Sequence, residues 1–287
     1  MIKLKLALGT AQFGLDYGIN NNKGQITKQE AQKILKFALE HKLNFIDTAQ
    51  TYGDSELIIG EFILNNKTNF KIISKFSTEK LSTKLFDESL KRLHSNRMYG
   101  CLVHDFKSFK KNPSTWTILR KLKKEQKVKK IGFSLYYPKE VEYLLERKIP
   151  FDIIQVPFSI LDQRFNELFP LLKKKKIEIH VRSVFLQGLL FKNPNKLKGE
   201  FKRIKNKLTL LQSISKENNI PLSALCINFA ALNKYIDKIV IGVDSLKNLQ
   251  ENVNSIKYQK KVSLIYTKLQ NLKELDERII LPLNWSE

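Results

Sequence analysis

The sequence predicts a (β/α)8 barrel of parallel strands, a TIM-barrel architecture, with an additional C-terminal helix and one domain over residues 1–287. Three observations carry this. Short apolar runs alternate with amphipathic stretches from end to end, and eight of these runs are each followed by helical periodicity. None is joined to the next by a hairpin-type turn, so successive strands should be parallel and linked by crossovers. The length of 287 residues suits a closed barrel, which commonly needs ~250. A doubly wound open sheet is the alternative, but no Gly-x-Gly-x-x-Gly follows the first strand.

The first strand is expected over residues 4–8, ahead of the loop Gly9-Thr10-Ala11-Gln12-Phe13-Gly14. Thr27 is placed to cap a helix and Glu30 to complete a capping box, with Ala31, Ile34, Leu35, Ala38 and Leu39 on one face. Residues 44–47 form the second strand, and 55–64 a helix with Leu57, Ile58 and Phe62 inward. Strand 70–74, helix 83–93, strand 101–104 and helix 113–126 follow, Pro113 suiting a first helical turn. The second half repeats the rhythm: strand 130–134, helix 138–147, strand 151–156, helix 166–175 and strand 177–181. A basic insertion over 191–205 reads as a loop, before helices 206–218 and 222–232, strand 239–241 and helix 246–256. One more helix is expected over 261–275.

Composition excludes several classes. No run of about 18 apolar residues occurs, so no membrane span is expected, and charges interrupt the apolar N-terminus, unlike a signal peptide. Cys101 and Cys226 sit among apolar residues, which suggests reduced, buried thiols and a cytoplasmic location. No Cys or His spacing suits a metal. The net charge of +23 invites a nucleic-acid reading, but only eight of the 51 basic residues are Arg, and the lysines spread along helical faces. They are read as solvated surface whose positive field attracts anionic ligands, with no nucleic-acid or membrane partner.

In such barrels the strand ends feed the active-site face. Asp47 ends the second strand with Tyr52 just beyond it, Lys75 ends the third and His104 the fourth. Singly, each has a structural reading: a helix cap, a loop aromatic, a surface lysine, a hydrogen-bonded histidine. Together they suit one reaction. A phenol is a poor acid at neutral pH, an adjacent ammonium favours its ionised form, and a carboxylate holds that ammonium. A neutral imidazole donates to an oxygen on which charge develops. That apparatus protonates an oxygen while hydride reaches carbon, and nicotinamide is the natural hydride source.

These residues sit in motifs. Leu8-Gly9-Thr10-Ala11-Gln12-Phe13-Gly14 and Phe45-Ile46-Asp47-Thr48-Ala49-Gln50-Thr51-Tyr52-Gly53, with Ser55-Glu56, resemble the aldo-keto reductase family. The resemblance continues to Gly242 and Gln250-Glu251-Asn252. It implies an oxidoreductase reducing an aldehyde or ketone, with Asp47, Tyr52, Lys75 and His104 as catalytic tetrad and Tyr52 as proton donor. It also implies a cofactor stretched across the barrel rim. Gly9 and Thr10 would lie against it. Ser134 and Gln155 would meet the nicotinamide amide, although Leu135 stands where Asn is usual. Ser183, Gln187 and Gly188 would form its phosphate side, in a loop headed by Arg182, which replaces the aromatic residue that often stacks on nicotinamide. Gly242, Ser245, Lys247, Glu251 and Asn252 would hold the adenosine end. Ser245 and Lys247 lean the choice to NADPH; Asp244 and Asn248, where a basic residue is common, keep NADH as the alternative. A cofactor-holding regulatory subunit of the same fold is the competing reading. The tail after residue 278 is short, which suggests an open pocket able to admit a sugar derivative, with Trp285 as an anchor rather than a lid.

Overall fold

The computed structural model describes residues 5–21, 24–77 and 81–285. Eight strands, β1 (Leu6–Gly9), β2 (Phe45–Asp47), β3 (Lys71–Phe76), β4 (Met98–Val103), β5 (Val128–Ser134), β6 (Ile153–Pro157), β7 (Glu178–Arg182) and β8 (Lys238–Gly242), pair in sequence order. All pairings are parallel, and β8 closes on β1 through Leu6↔Ile239 to Gly9↔Gly242. Leu4, expected in the first strand, lies outside the described residues, as does the chain before it.

The crossovers carry helices α1 (Lys28–Glu40), α2 (Ser55–Asn66), α3 (Thr83–Arg92), α4 (Thr115–Lys124), α5 (Pro138–Glu146), α6 (Phe169–Lys174), α7 (Lys205–Glu217), α8 (Leu222–Leu232) and α9 (Leu246–Asn254). Their apolar faces cover the outside of the barrel. On α1, Ala31, Ile34, Leu35 and Ala38 are buried and Leu39 is partly so. Thr27 caps this helix by accepting from Glu30 N at 3.2 Å. The Glu30 carboxylate does not complete the expected box; it accepts from Leu246 N at 2.7 Å, stitching α1 to the start of α9.

The barrel interior explains the placement of the site. Ala7, Phe45, Ile73, Leu102, Ile153 and Val240 form an internal apolar cluster. Side chains on a strand return to the same face every second residue. The next inward positions are therefore Gly9, Asp47, Lys75, His104, Gln155 and Gly242. Apolar packing fills the lower barrel, and one step of two turns the mouth polar. Below the cluster, Glu178 accepts from Tyr99 Oη at 2.8 Å, contacts Lys130 and lies 2.7 Å from His180 Nε2. Burial raises the Glu178 carboxyl, but those three partners overcome it and bring it down to about 2.

Several expectations are corrected. Leu57 is exposed: Ile58, Ile59, Phe62 and Ile63 turn inward, and Leu57 falls on the opposite side at 100° per residue. The helix expected over 113–126 starts at Thr115, because a separate short helix, Phe106–Lys111, is capped by Asp105 through Lys107 N and Ser108 N. The helix expected over 166–175 opens with a 3₁₀ turn, Asn166–Leu168. The insertion over 191–205 holds 3₁₀ turns Pro194–Lys196 and Gly199–Ile204 rather than plain loop. The helix expected over 261–275 is broken: Gln259–Leu264 and Tyr266–Gln270 meet at Ile265, whose ψ of 11° is not helical, and the chain leaves the helix after Gln270. Trp285 is an anchor: its Nε1 donates to Ile279 O at 2.9 Å and its ring meets Phe201 edge-on.

Candidate active site

Two backbone approaches hold the tyrosine loop. Gly14, ending the short helix after β1, lies so close to Tyr52 O that a Cβ would stand 1.9 Å away. Gly53, with φ +47°, has Gly14 O 2.4 Å from where its own Cβ would be. Only glycine fits such a contact with a left-handed φ. Thr10 secures the neighbouring strand. Its Oγ1 and backbone N both donate to Asp47 O at 3.0 Å, and Ser55 Oγ donates to Thr10 Oγ1 at 2.8 Å. Behind this loop Glu56 is buried, receiving Arg92 Nη2 at 2.7 Å, Ser74 Oγ at 2.9 Å and a contact from Ser89.

The four tetrad candidates come together. Lys75 Nζ donates to Asp47 Oδ1 at 2.5 Å and to Thr48 O at 3.0 Å, with both side chains of the ion pair buried. Lys75 Nζ also lies 5.1 Å from the Tyr52 ring centroid. The Tyr52 and His104 rings stand edge to face at 6.0 Å. Burial alone would lower the Lys75 ammonium, but Asp47 and Tyr52 outweigh it and hold its pKa above the ordinary lysine value. His104 behaves oppositely. Burial, then Lys75 and Arg182, depress it to about 4, which leaves a neutral imidazole. Tyr17, a second phenol lining the cavity, is held above the ordinary tyrosine value by burial and then by Tyr52.

A cavity of about 400 Å³ runs from Asp47 and Tyr52 across the rim. It is lined by Gly9, Thr10, Gln155, Arg182, Ser183, Gln187, Gly188, Gly242, Glu251 and Asn252 of the sequence-derived candidates. Lys75, His104 and Ser134 stand behind or beside the lining as inward neighbours on their strands, Ser134 in register with Gln155. Ser245 and Lys247 do not line it: the Ser245 hydroxyl caps α9 through Asn248 N at 3.3 Å, and Lys247 is exposed. Gln12, Tyr17 and Asn20 line the cavity without having been singled out. Their loop carries no periodic signal, and only the proximity of Gln12 to Gly9 hinted at a role.

The cavity has features of a dinucleotide groove. Gly9 and Gly242 are register partners at its floor, and a Cβ on Gly242 would stand 2.7 Å from Gln12 Nε2. Gln155 Nε2 donates to Asp47 Oδ2 at 2.7 Å, while Gln155 Oε1 is buried without a partner, as is Gln12 Oε1. An amide donor from a ligand would satisfy either. The loop after β7 bends over the groove through positive φ at Ser183, Leu186, Gln187 and Gly188. There Gln187 Nε2 donates to Tyr17 Oη at 3.2 Å, and Gly188 abuts Asn20 so closely that a Cβ would stand 2.5 Å from it. The loops after β1 and β7 thus form a bridge. Among the described residues no cluster suits a metal ion, and no helix is long and apolar enough to cross a membrane.

The chain is similar to known proteins over most of its length. The model of the aldo/keto reductase family matches residues 5–270. L-galactose dehydrogenase of Arabidopsis thaliana is 26% identical over 255 residues, covering 81% of this chain and 80% of that protein. The uncharacterized oxidoreductase YqkF of Bacillus subtilis is 21% identical, covering 88% and 90%. The holo form of the aldo-keto reductase AKR11C1 from Bacillus halodurans superposes with a TM-score of 0.74 at 19% identity, covering 95% and 94%.

Proposed function

The chain belongs to the aldo/keto reductase family, and from that premise we propose that it is a nicotinamide-dependent oxidoreductase interconverting a carbonyl group and an alcohol on a small, sugar-like substrate. The observation that carries this is the buried Lys75–Asp47 pair beneath Tyr52, with His104 across the ring. The sugar-like class draws on the L-galactose dehydrogenase relative.

When bound, the cofactor supplies hydride. Gln155 would hold its amide through Oε1; Gly9, Ser183, Gln187 and Gly188 would border its phosphates; Glu251 and Asn252 would meet adenine. The protein's part is proton delivery. Tyr52 gives its hydroxyl proton to the substrate oxygen, and the Lys75 ammonium stabilises the phenolate left behind. Asp47 keeps Lys75 charged and in place. His104, neutral, donates a hydrogen bond that orients the carbonyl and offsets its developing charge.

The lining of the adenosine end supports one cofactor over the other. Asp244, Asn248 and Glu251 line it, and Arg182, at the other end, is the one cationic side chain among the lining residues described. A 2′-phosphate there would meet the Glu251 carboxylate with no cation opposite it among the described lining residues. Ser245 and Lys247, on which the NADPH leaning rested, stand outside the lining. The proposed cofactor is therefore NADH.

The test is single-turnover reduction of a small aldehyde with saturating NADH. Tyr52→Phe keeps the ring and removes the proton, so the rate should fall ~10²–10⁴-fold with cofactor affinity retained. Near-normal turnover by that variant would remove Tyr52 from the mechanism.

A further inference from the structure

We propose that Arg182 recognises a carboxylate on the substrate, so that the natural substrate is an acidic carbonyl compound, in class an oxo- or aldehydo-acid such as an acidic sugar derivative. This rests on the tetrad being a carbonyl-reducing site.

Arg182 ends β7 two residues beyond His180 and so enters the mouth from the same inward column. Its guanidinium lies 4.1 Å from the Tyr136 ring centroid. Nη2 donates to Leu135 O at 3.2 Å and Nη1 to Ser183 Oγ at 3.3 Å. These contacts fix its plane while using two of its five N–H donors. Arg92, Arg164, Arg203 and Arg278 all carry carboxylate partners. Arg182 has none among the described residues, although it is half-buried and lines the cavity with Tyr52. Its charge opposes protonation of His104 and, without reversing the net upward shift, of Lys75, which puts it at the catalytic end of the groove.

A partly buried cation without a counter-charge is costly until a ligand supplies one. The three remaining N–H groups form a planar fork that takes a carboxylate in two parallel hydrogen bonds. A phosphate dianion would fit less well, because among the described lining residues there is no second cation to balance it. Arg182, in place of an aromatic residue, thus reads the acid while the backbone carbonyl of Leu135 holds it in position.

The experiment compares kcat/KM for 4-carboxybenzaldehyde and benzaldehyde, and for glyceraldehyde 3-phosphate and glyceraldehyde, in wild type, Arg182→Met and Arg182→Lys. The expected result is a wild-type preference for the carboxylate over its neutral partner that falls about tenfold or more in Arg182→Met, through KM, with Arg182→Lys keeping part of it. An unchanged ratio would overturn the proposal. So would a loss shared equally by benzaldehyde, which would make Arg182 a cofactor or general structural residue. A larger loss for the phosphate pair would overturn the carboxylate assignment. If no aldehyde is reduced, the functional reading fails, and Arg182 is tested by calorimetric titration of benzoate into the protein with NAD+. Binding lost in Arg182→Met supports the site; equal binding, or none in wild type, rejects it.

Discussion

Lys75 and Asp47 are both almost fully buried, and each is the other's compensation. Removing one leaves an uncompensated buried charge. Lys75→Met is therefore expected to lower stability by about 3–5 kcal/mol in urea denaturation, with Asp47→Asn in the same chain restoring much of it; additive losses would mean the pair is not coupled. His104 links the site to pH with the opposite sign from a histidine whose pKa is raised by an acidic partner. Its folded pKa of about 4 lies below the reference 6.5, so the unfolded chain takes up its proton first. Stability from this group is complete above pH 6.5, declines as pH falls, and levels off below pH 4, a total of roughly 3 kcal/mol. Melts of wild type and His104→Gln at pH 7, 5.5 and 4 should diverge across that window; parallel curves would show that His104 is not held neutral. Residue types and order made these four groups legible in the sequence. The bridge was not legible: nothing local marks Leu186 or Gln187 for a positive φ, which only the loop's path over the groove imposes.

At the scale of elements, the tyrosine loop depends on backbone contact more than on side chains. Gly14→Ala would place a methyl group 1.9 Å from Tyr52 O, so the loop must shift. A displacement near 1 Å in a catalytic group can cost ~10²-fold. The expected outcome is a fall of that order in kcat with the barrel intact by circular dichroism; normal kcat would show that the loop adapts. The strands and most helices were legible because the period of two and the period of 3.6 are both written in apolar residues. Leu57 and the break at Ile265 were not, for a shared reason: each depends on what the helix packs against. Leu57 is as apolar as its neighbours but falls on the side away from the barrel. Glu30 illustrates the same limit, since its local partner was available and a distant one, Leu246 N, won.

At the scale of the whole molecule, the net charge of +23 and the acidic adenosine end pull in different directions. The general field attracts any anion over a distance of about 10 Å, whereas Glu251 acts at contact. Contact should decide: NADH is expected to bind more tightly than NADPH, and Asn248→Arg to narrow the gap, by fluorescence titration at 0.15 M salt. Tighter NADPH binding by wild type would reject the assignment. The closing pair of the barrel has another consequence, for synthesis. Leu6 to Gly9 find their second partner only in Ile239 to Gly242, near the far end of the chain. On the ribosome β1 must therefore wait, with one edge unpaired, until residues 238–242 have emerged. Contacts of such long sequence separation slow folding, and a waiting strand edge invites pairing with another chain. A nascent fragment stopped before residue 238 should be aggregation-prone. A circular permutant opened in an exposed loop of the second half, placing β8 directly ahead of β1, should close its barrel sooner while building the same mouth.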